Sequence, residues 1–200
     1  MKKLLQINAS LFSNDGQSSR LASQFVATWR DRNPDSELRV RDFAREPIPH
    51  LDAERFQAFL TQPDARSPEQ ATVVDFSDTL IRELREADVV VIGLPMYNFG
   101  IPSTLKAYFD HVARAGITFR YTENGPVGLL DGKKVYVLAA RGGYYAGTSL
   151  DTQTGYMRDF LGFLGMKDVE FVYAEGLNID ESSKQIALAE AEEHLANLAA

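Results

Sequence analysis

Apolar runs that predict strands alternate along the chain with segments whose apolar residues recur at helical spacing. The runs at 88–94 and 135–140 show no polar alternation, which is typical of strands buried on both faces of a parallel sheet. Runs at 4–7 and 169–174 predict a first and a last strand. The segment 38–43 alternates like a half-buried strand at the edge of a sheet.

Helices are predicted between these strands. The first carries Leu21, Phe25 and Trp29 on one face. Ser18, just before it, is a candidate N-cap. The sequence Ser-Pro-Glu-Gln at 67–70 predicts a helix start with a capping box. Further helices are expected at 52–60, at 103–113 and at 151–164, and the helix at 151–164 is closed by Gly165. A final helix is expected after Asp180.

Strands that alternate with helices predict an α/β fold in a single domain spanning residues 1–200. With right-handed crossovers, five such strands form a three-layer, doubly wound parallel sheet. Of the two common strand orders, 2-1-3-4-5 suits a five-stranded chain, and this is the flavodoxin-like order. Its ligands bind at the carboxyl ends of the first and third strands. The loops beginning near Ser10 and Met96 are therefore the expected binding loops.

Charge and composition narrow the function classes. The 200 residues carry a formal net charge of −7, which argues against a nucleic-acid partner. Cysteine is absent, so disulfides and thiolate chemistry are excluded. His50, His111 and His194 show no metal-ligand spacing, and we expect no metal. No segment approaches the roughly 20 apolar residues of a membrane span, so we expect a cytoplasmic protein without a membrane partner.

The loop after the first strand has the chemistry of an anion site. Ser10, Gln17 and Ser18 supply polar side chains near a helix N-terminus, where backbone N–H groups and the helix dipole favour negative charge. A phosphate monoester suits such a site without a lysine or arginine. The alternative is an ordinary serine-rich turn that caps the helix.

The third strand ends in the aromatic loop Pro95-Met96-Tyr97-Asn98-Phe99. Such a loop presents a flat apolar wall together with backbone N–H groups, which suits a planar aromatic ligand with polar edges. The alternative is that Tyr97 and Phe99 only cap the core.

The fourth strand ends in Arg141-Gly142-Gly143. The two glycines allow backbone to approach a ligand closely, although they serve a tight turn equally well. The usual dinucleotide motif G-x-G-x-x-G and the phosphate-binding Walker motif are both absent from the sequence.

Six blocks of sequence carry a family resemblance. They are Pro95–Phe99, Ala113–Gly116, Thr118–Pro126, Arg141–Gly143, Phe160–Phe163 and Ala174–Gly176. These blocks resemble the bacterial FMN-dependent NAD(P)H azoreductase (NADH:quinone oxidoreductase) family, and the match covers essentially the whole chain. The resemblance implies a flavodoxin-like homodimer with one FMN per subunit, both sites at the dimer interface, and NADH or NADPH as electron donor.

The resemblance also implies a set of cofactor contacts. The FMN phosphate is expected on the loop after the first strand, the isoalloxazine ring on the loop after the third, and its pyrimidine side on the loop after the fourth. The residues implied are Ser10, Gly16, Gln17, Ser18, Pro95, Met96, Tyr97, Asn98, Phe99, Ala140, Arg141, Gly142 and Gly143. Relatives often carry serine at the position of Gly16, and some carry serine at the position of Ala140. We expect both departures to weaken FMN binding modestly.

The chemistry implied by the resemblance is hydride transfer from the nicotinamide to flavin N5, followed by reduction of a quinone or azo compound in the same slot. No side-chain acid or base is assigned to this ping-pong cycle. The N–H groups of Gly142 and Gly143 are expected to stabilise negative charge near flavin N1. Candidates for the substrate wall, some from the partner subunit, are Phe119, Tyr121, Tyr144 and Phe163. Phe163 also fits the core stripe of its helix.

Two other functions stay open: a one-electron carrier like flavodoxin, and a redox sensor that uses flavin. The segment 117–126, predicted as an extended arm with an Asn-Gly turn, argues against a carrier, whose flavin edge must stay exposed. The choices between NADH and NADPH, and between quinone and azo acceptors, also stay open.

Overall fold

The computed structural model describes residues 1–198, which form a five-stranded parallel sheet with helices on both faces. The strands are β1 (Lys3–Asn8), β2 (Glu37–Asp42), β3 (Val89–Pro95), β4 (Phe119–Thr122), β5 (Gly125–Gly128), β6 (Lys134–Ala140) and β7 (Asp168–Ala174). The helices are α1 (Gln17–Arg32), α2 (Ala53–Leu60), α3 (Pro68–Glu86), α4 (Ser103–Val112), α5 (Thr152–Phe163) and α6 (Glu181–Leu198). The large sheet has the order β2-β1-β3-β6-β7, so the predicted flavodoxin-like order is confirmed.

Successive residues of the central strand β3 point into two different cores. Val90 and Ile92 pack with apolar residues of α3, α4 and α5, whereas Val89 and Val91 pack with those of α1 and α6. Every residue of β3 is buried, which explains why its sequence is apolar without alternation. Strand β2 lies at the edge of the sheet and stays partly exposed, as its alternating sequence predicts.

Two predicted helix starts have different outcomes. The capping box of α3 is present: Ser67 Oγ accepts from the Gln70 N–H at 3.3 Å, and the Gln70 side chain accepts from the Ser67 N–H at 3.1 Å. The prediction that Ser18 caps α1 is wrong. The N-cap is Gly16, whose carbonyl accepts from the Arg20 N–H at 3.0 Å. Ser18 therefore lies within the first turn, and α1 begins without a side-chain cap.

The segment predicted as an extended arm forms a separate hairpin of β4 and β5. In its turn, Thr122 Oγ1 donates to the Gly125 carbonyl at 2.7 Å and accepts from the Asn124 N–H at 3.2 Å. Gly125 has φ of 101°, which glycine adopts at little cost. Beyond the hairpin, the Leu130 N–H donates to the Leu164 carbonyl at 2.9 Å, which anchors this segment to the end of α5.

A buried carboxylate ties the edge strand β2 to α3. The Glu83 side chain is only 3% exposed and accepts from the guanidinium groups of Arg39, at 2.7 Å, and Arg41, at 2.5 and 2.7 Å. Burial raises the pKa of Glu83, but the hydrogen bonds and charges of the two arginines outweigh burial and lower it below its usual value. The ion pair therefore contributes most when Glu83 is ionised.

We expect Glu83→Gln to lower the free energy of unfolding by about 3 kcal/mol near neutral pH, because the arginines lose a buried partner. Since the folded-state pKa of Glu83 is the lower one, its contribution is present above the unfolded-state pKa and is lost as pH falls through the folded-state value. Urea titrations should therefore show the gap between wild type and variant shrinking from about pH 7 to about pH 3. A gap that stays constant over this range would contradict the assignment.

Candidate functional site

A cleft of about 280 Å³ opens at the carboxyl ends of β1, β3 and β6, where the predicted binding loops meet. The predicted cofactor residues that line it are Ser10, Gly16, Gln17, Ser18, Pro95, Met96, Tyr97, Ala140, Arg141 and Gly142. The other three, Asn98, Phe99 and Gly143, follow directly in the chain but do not line the cleft. Three loops that are far apart in sequence therefore form one site, as the strand order predicts.

The start of α1 forms one part of the cleft and supplies uncapped N–H groups and a free hydroxyl. Ser18 Oγ is buried and has no hydrogen-bond partner within residues 1–198. Ser10 Oγ accepts from the Phe12 N–H at 3.1 Å and lies beside Gly16. A Cβ at Gly16 would lie 2.0 Å from that oxygen, so a larger residue here would require the Ser10 side chain to move. Helix dipole, N–H groups and hydroxyls together have the chemistry of an anion site.

Gly93 of β3 is a residue that the sequence reasoning missed. A Cβ at this position would lie 2.8 Å from the carbonyl oxygen of Ser18, so the first turn of α1 rests directly on the sheet. A larger residue would displace the start of the helix from the cleft. The available signal was a single glycine inside an apolar strand, which often marks a close approach of two backbones.

The loop after β3 is a tight turn with two residues in the left-handed region. Tyr97 and Gly100 exchange main-chain hydrogen bonds of 3.2 and 2.9 Å, and between them Asn98 and Phe99 have φ of 50° and 62°. These φ values match a type I′ turn, which favours Asn-Gly and strains a bulky residue such as Phe99. The N–H groups of Asn98 and Phe99 make no hydrogen bond within the described residues, so they are available to a ligand.

Gln153 of α5 supports this turn from the protein interior. Its side chain is fully buried, and Nε2 donates to the carbonyls of Pro95, at 2.9 Å, and Gly100, at 3.0 Å. Its Oε1 accepts from Nε of Arg141 at 3.2 Å. One amide therefore joins the loop after β3 to the loop after β6.

Arg141 faces the protein interior, and its guanidinium exposes no surface. The guanidinium donates to Asp151 at 2.8 Å and to Glu175 at 3.1 Å, and it lies over the ring of Tyr173. Burial raises the pKa of Asp151, but hydrogen bonds from Thr154 and the pairing with Arg141 outweigh burial and lower it. Only the main chain of Arg141 can contact a ligand in the cleft.

The glycines after β6 allow neighbouring side chains to approach closely. A Cβ on Gly142 would lie 2.6 Å from the amide nitrogen of Asn178, and one on Gly143 would lie 2.7 Å from the hydroxyl of Tyr145. Their carbonyls accept from the N–H groups of Asn178 and Gly176, both at 3.0 Å. Their own N–H groups make no hydrogen bond in the part of the chain that is described, so they are free to act as the predicted donors.

Three of the four predicted substrate residues lie together at the hairpin, because the Phe119 ring contacts the rings of Tyr121, at 5.5 Å between centroids, and Phe163. Phe119 is 7% exposed and packs in the core against Phe163, with ring centroids 4.4 Å apart. Phe119 begins β4 and turns its ring into the core of this chain, and its role in a substrate wall stays a prediction. Tyr121, on the hairpin, and Tyr144, near Gly176, keep exposed rings.

Sequence patterns missed four residues of the cleft lining: Phe12, Leu177, Asn178 and Lys184. The last three belong to the segment after β7, the strand that pairs with β6. This segment has neither a glycine pair nor an aromatic run, so its place at the cleft becomes visible only in the folded chain.

A larger groove, of about 920 Å³, lies between α1 and the edge strand β2 and contains none of the predicted site residues. Its floor carries Gln6, whose Nε2 donates to Asn8 and to Ser23, both at 3.0 Å. The groove lies away from the junction of β1 and β3, where this strand order binds ligands. We therefore assign the functional site to the smaller cleft, where free N–H groups and an unpartnered hydroxyl converge.

Metal and membrane features are not found within residues 1–198. No group of three or more histidine, aspartate or glutamate side chains could hold a metal ion there. No helix in the same range has both the length and the apolar character to cross a membrane. His111 packs between the rings of Phe59 and Phe76, and its Nε2 lies 3.0 Å from the Pro49 carbonyl oxygen. Burial lowers the pKa of His111, which has a packing role.

Comparison with known proteins finds relatives along nearly the whole chain. Residues 2–198 match the family described as "Flavodoxin-like fold". The FMN-dependent NADH:quinone oxidoreductase of Cellvibrio japonicus (strain Ueda107) is 57% identical over 192 residues, which cover 96% of this chain and 96% of that protein. The FMN-dependent NADH:quinone oxidoreductase 6 of Burkholderia lata is 54% identical over 196 residues, which cover 98% and 99%.

Solved structures share the same architecture. The azoreductase from Bacillus anthracis str. Sterne has a TM-score of 0.90 and 30% identity, covering 100% of this chain and 99% of that chain. The FMN-dependent NADH-azoreductase from Bacillus anthracis str. Ames Ancestor, solved in complex with FMN, has a TM-score of 0.88 and 30% identity, covering 100% of both. The similarity therefore includes the strands and loops that form the cleft.

We expect Gln153→Leu to lower the free energy of unfolding by about 2–3 kcal/mol, because it removes the side-chain donor to the Pro95 and Gly100 carbonyls and the buried acceptor of Arg141 Nε. It should also speed amide hydrogen exchange in the 96–99 turn. Urea titration and hydrogen exchange measured by mass spectrometry test both effects.

The matched control is Gln57→Leu, which changes an exposed glutamine on α2 and should shift stability by less than about 0.5 kcal/mol. If the Gln153 variant matched this control in both stability and exchange, the bridging role would be wrong.

Proposed function

This chain belongs to the flavodoxin-like family of FMN-dependent NADH:quinone oxidoreductases, and on that premise we propose that it passes electrons from NADH to quinones through FMN held in the cleft. The observation that carries the proposal is the convergence, in one cleft, of the uncapped start of α1 and the loop after β3, whose residues 95–97 line the cleft. The first has the chemistry for a phosphate monoester, and the second has the chemistry for a planar ring with polar edges.

The start of α1 fits the phosphate of FMN. The Ser18 hydroxyl is buried without a partner, and buried polar groups in native proteins are rarely left unpaired. A phosphate oxygen at this place would accept from that hydroxyl and from the first N–H groups of the helix. Gly16 has no side chain, so only its backbone can contact the phosphate. Ser10 fills the space that a Cβ at this position would take.

The loops after β3 and β6 fit the isoalloxazine ring. The main-chain N–H groups of Asn98, Phe99, Gly142 and Gly143 are unpaired within residues 1–198 and can donate to the polar edges of a ring. FMN, when bound, supplies the hydride chemistry, accepting two electrons from a nicotinamide and giving them to an acceptor. The residues of the cleft orient the ring and place N–H donors where its negative charge develops.

The small volume of the cleft supports a homodimer with its sites at the interface. At about 280 Å³, the cleft is slightly smaller than ordinary ligand pockets, which hold about 300–1,000 Å³. A ring bound there would project from one subunit and be covered by a second copy. Three exposed aromatic rings on the loops and the hairpin could pack against the second copy, namely those of Phe99, Tyr121 and Tyr144.

A ring held in the cleft on one side would leave a single face open, and on this ground we propose a ping-pong cycle. The nicotinamide and the acceptor must each lie flat on the ring to exchange hydride, so one leaves before the other binds. Quinones and azo compounds are both planar acceptors of an electron pair, and we propose both as substrates. We propose a cytoplasmic location, which the use of NADH as the reductant supports.

We expect Ser18→Ala to weaken FMN binding by about tenfold, because it removes a hydroxyl donor to a charged phosphate. The free energy of unfolding of the protein without FMN should not fall, since this hydroxyl has no partner in the described part of the chain. Fluorescence titration with FMN and urea unfolding measure the two quantities separately.

Ser19→Ala is the matched control, because Ser19 Oγ is also buried and unpartnered but does not line the cleft. Its FMN affinity should stay at the wild-type value. Equal losses in the two variants would show that the Ser18 hydroxyl is not a phosphate ligand.

The proposed activity is tested by anaerobic stopped-flow mixing of the FMN-reconstituted protein with NADH. Flavin absorbance at about 450 nm should fall rapidly and should recover fully when a benzoquinone is added. Free FMN at the same concentration is the control, and NADPH is compared in a parallel experiment. Bound FMN that neither nicotinamide bleaches would reject the reductase and favour a flavin carrier or sensor.

A further inference from the structure

Lys184 is the one accessible cation of the cleft. The cationic residues that line the cleft, within residues 1–198, are Lys184 and Arg141, and the Arg141 side chain exposes no surface. No carboxylate lines the cleft in the same range. The Lys184 side chain is one third exposed, so its ammonium group can move towards a ligand.

The local structure of α6 does not account for a lysine at this position. Lys184 lies in the first turn, where a positive charge opposes the helix dipole. Its one ion pair is with Glu181 at 3.4 Å, and the Glu181 side chain is 69% exposed. Such surface pairs are worth little, so the interaction with Glu181 does not hold the ammonium group in place.

Helices α1 and α6 bring Lys184 to the proposed phosphate site. The two helices share one core on the same face of the sheet, where Leu21 and Phe25 of α1 pack with Ala191 and Leu195 of α6. Both helices begin at the carboxyl edge of the sheet, so Lys184 lines the same cleft as the first turn of α1. The donors at that first turn are neutral hydroxyl and N–H groups.

We infer that Lys184 pairs with the phosphate of the bound flavin and thereby selects FMN over flavins that lack a phosphate monoester. This inference rests on the proposed function, which places FMN in the cleft. The phosphate carries a charge of about −1.5 to −2 near neutral pH. The protein carries −7, so its overall field opposes this ligand, and a local cation has a large effect on binding.

The test compares FMN and riboflavin, which differ only in the phosphate, by fluorescence titration of flavin-free protein. Lys184→Gln should raise the Kd for FMN by about tenfold at low ionic strength, the effect expected for one charge-assisted hydrogen bond. The loss should shrink at about 0.5 M salt, because salt screens a partly exposed pair. Binding of riboflavin should be unchanged, and Lys184→Arg should retain most of the FMN affinity.

Lys167→Gln is the matched control. Lys167 is exposed and lies directly before β7, at the edge of the sheet opposite the cleft, so the variant makes the same change in net charge away from the site. Its Kd for FMN should stay within about twofold of wild type. Circular dichroism should show that all three variants are folded.

The outcomes separate this inference from the function on which it rests. If wild type fails to bind FMN, the proposed function falls, and this inference falls with it. If wild type binds FMN and Lys184→Gln binds it equally well, only the role of Lys184 is overturned. A loss for riboflavin as large as that for FMN also overturns it, because the residue then acts on the shape of the cleft and not on the phosphate.

Discussion

A fully buried arginine organises the carboxyl edge of the sheet. Arg141 pairs with Asp151 and Glu175 and donates to Gln153, so one guanidinium joins the ends of β6 and β7 to the start of α5. Glu175 also accepts from the Tyr145 N–H at 2.9 Å. A buried charge that lost such partners would cost several kcal/mol, so the surrounding loops must close around it when the chain folds. The shape of this side of the cleft depends on that network.

The cleft itself offers mainly main-chain chemistry. The start of α1, the turn after β3 and the glycines after β6 contribute N–H groups, whereas Gln153 and Arg141 act from the interior. Donors of this kind are fixed before a ligand arrives and need no reorganisation when charge develops on it. Phe99 shows the cost of this arrangement, since its left-handed backbone stores strain at the site.

The start of α1 shows why the N-cap prediction for Ser18 is wrong although the residue still lines the cleft. Serine is a common N-cap residue, but the N-cap of α1 is Gly16 and not Ser18. The Ser10 side chain fills the space that a side chain at position 16 would need. Ser18 is thereby moved into the first turn, where its hydroxyl has no partner among residues 1–198. The serine hydroxyl therefore faces the cleft and does not cap the helix.

The sequence by itself determined the strands, their order and the three binding loops. Apolar runs without alternation, an aromatic loop and a glycine pair are local signals, and the alternation of strands with helices restricts the topology. Only the tertiary structure decided which side chains face the cleft. It turned Arg141 inward, buried the ring of Phe119 at the start of the hairpin and brought Lys184, from the C-terminal helix, to the cleft that Ser18 also lines. The physical reason is that the direction of a side chain is set by its packing and hydrogen-bond partners, which come from distant segments that no local pattern encodes.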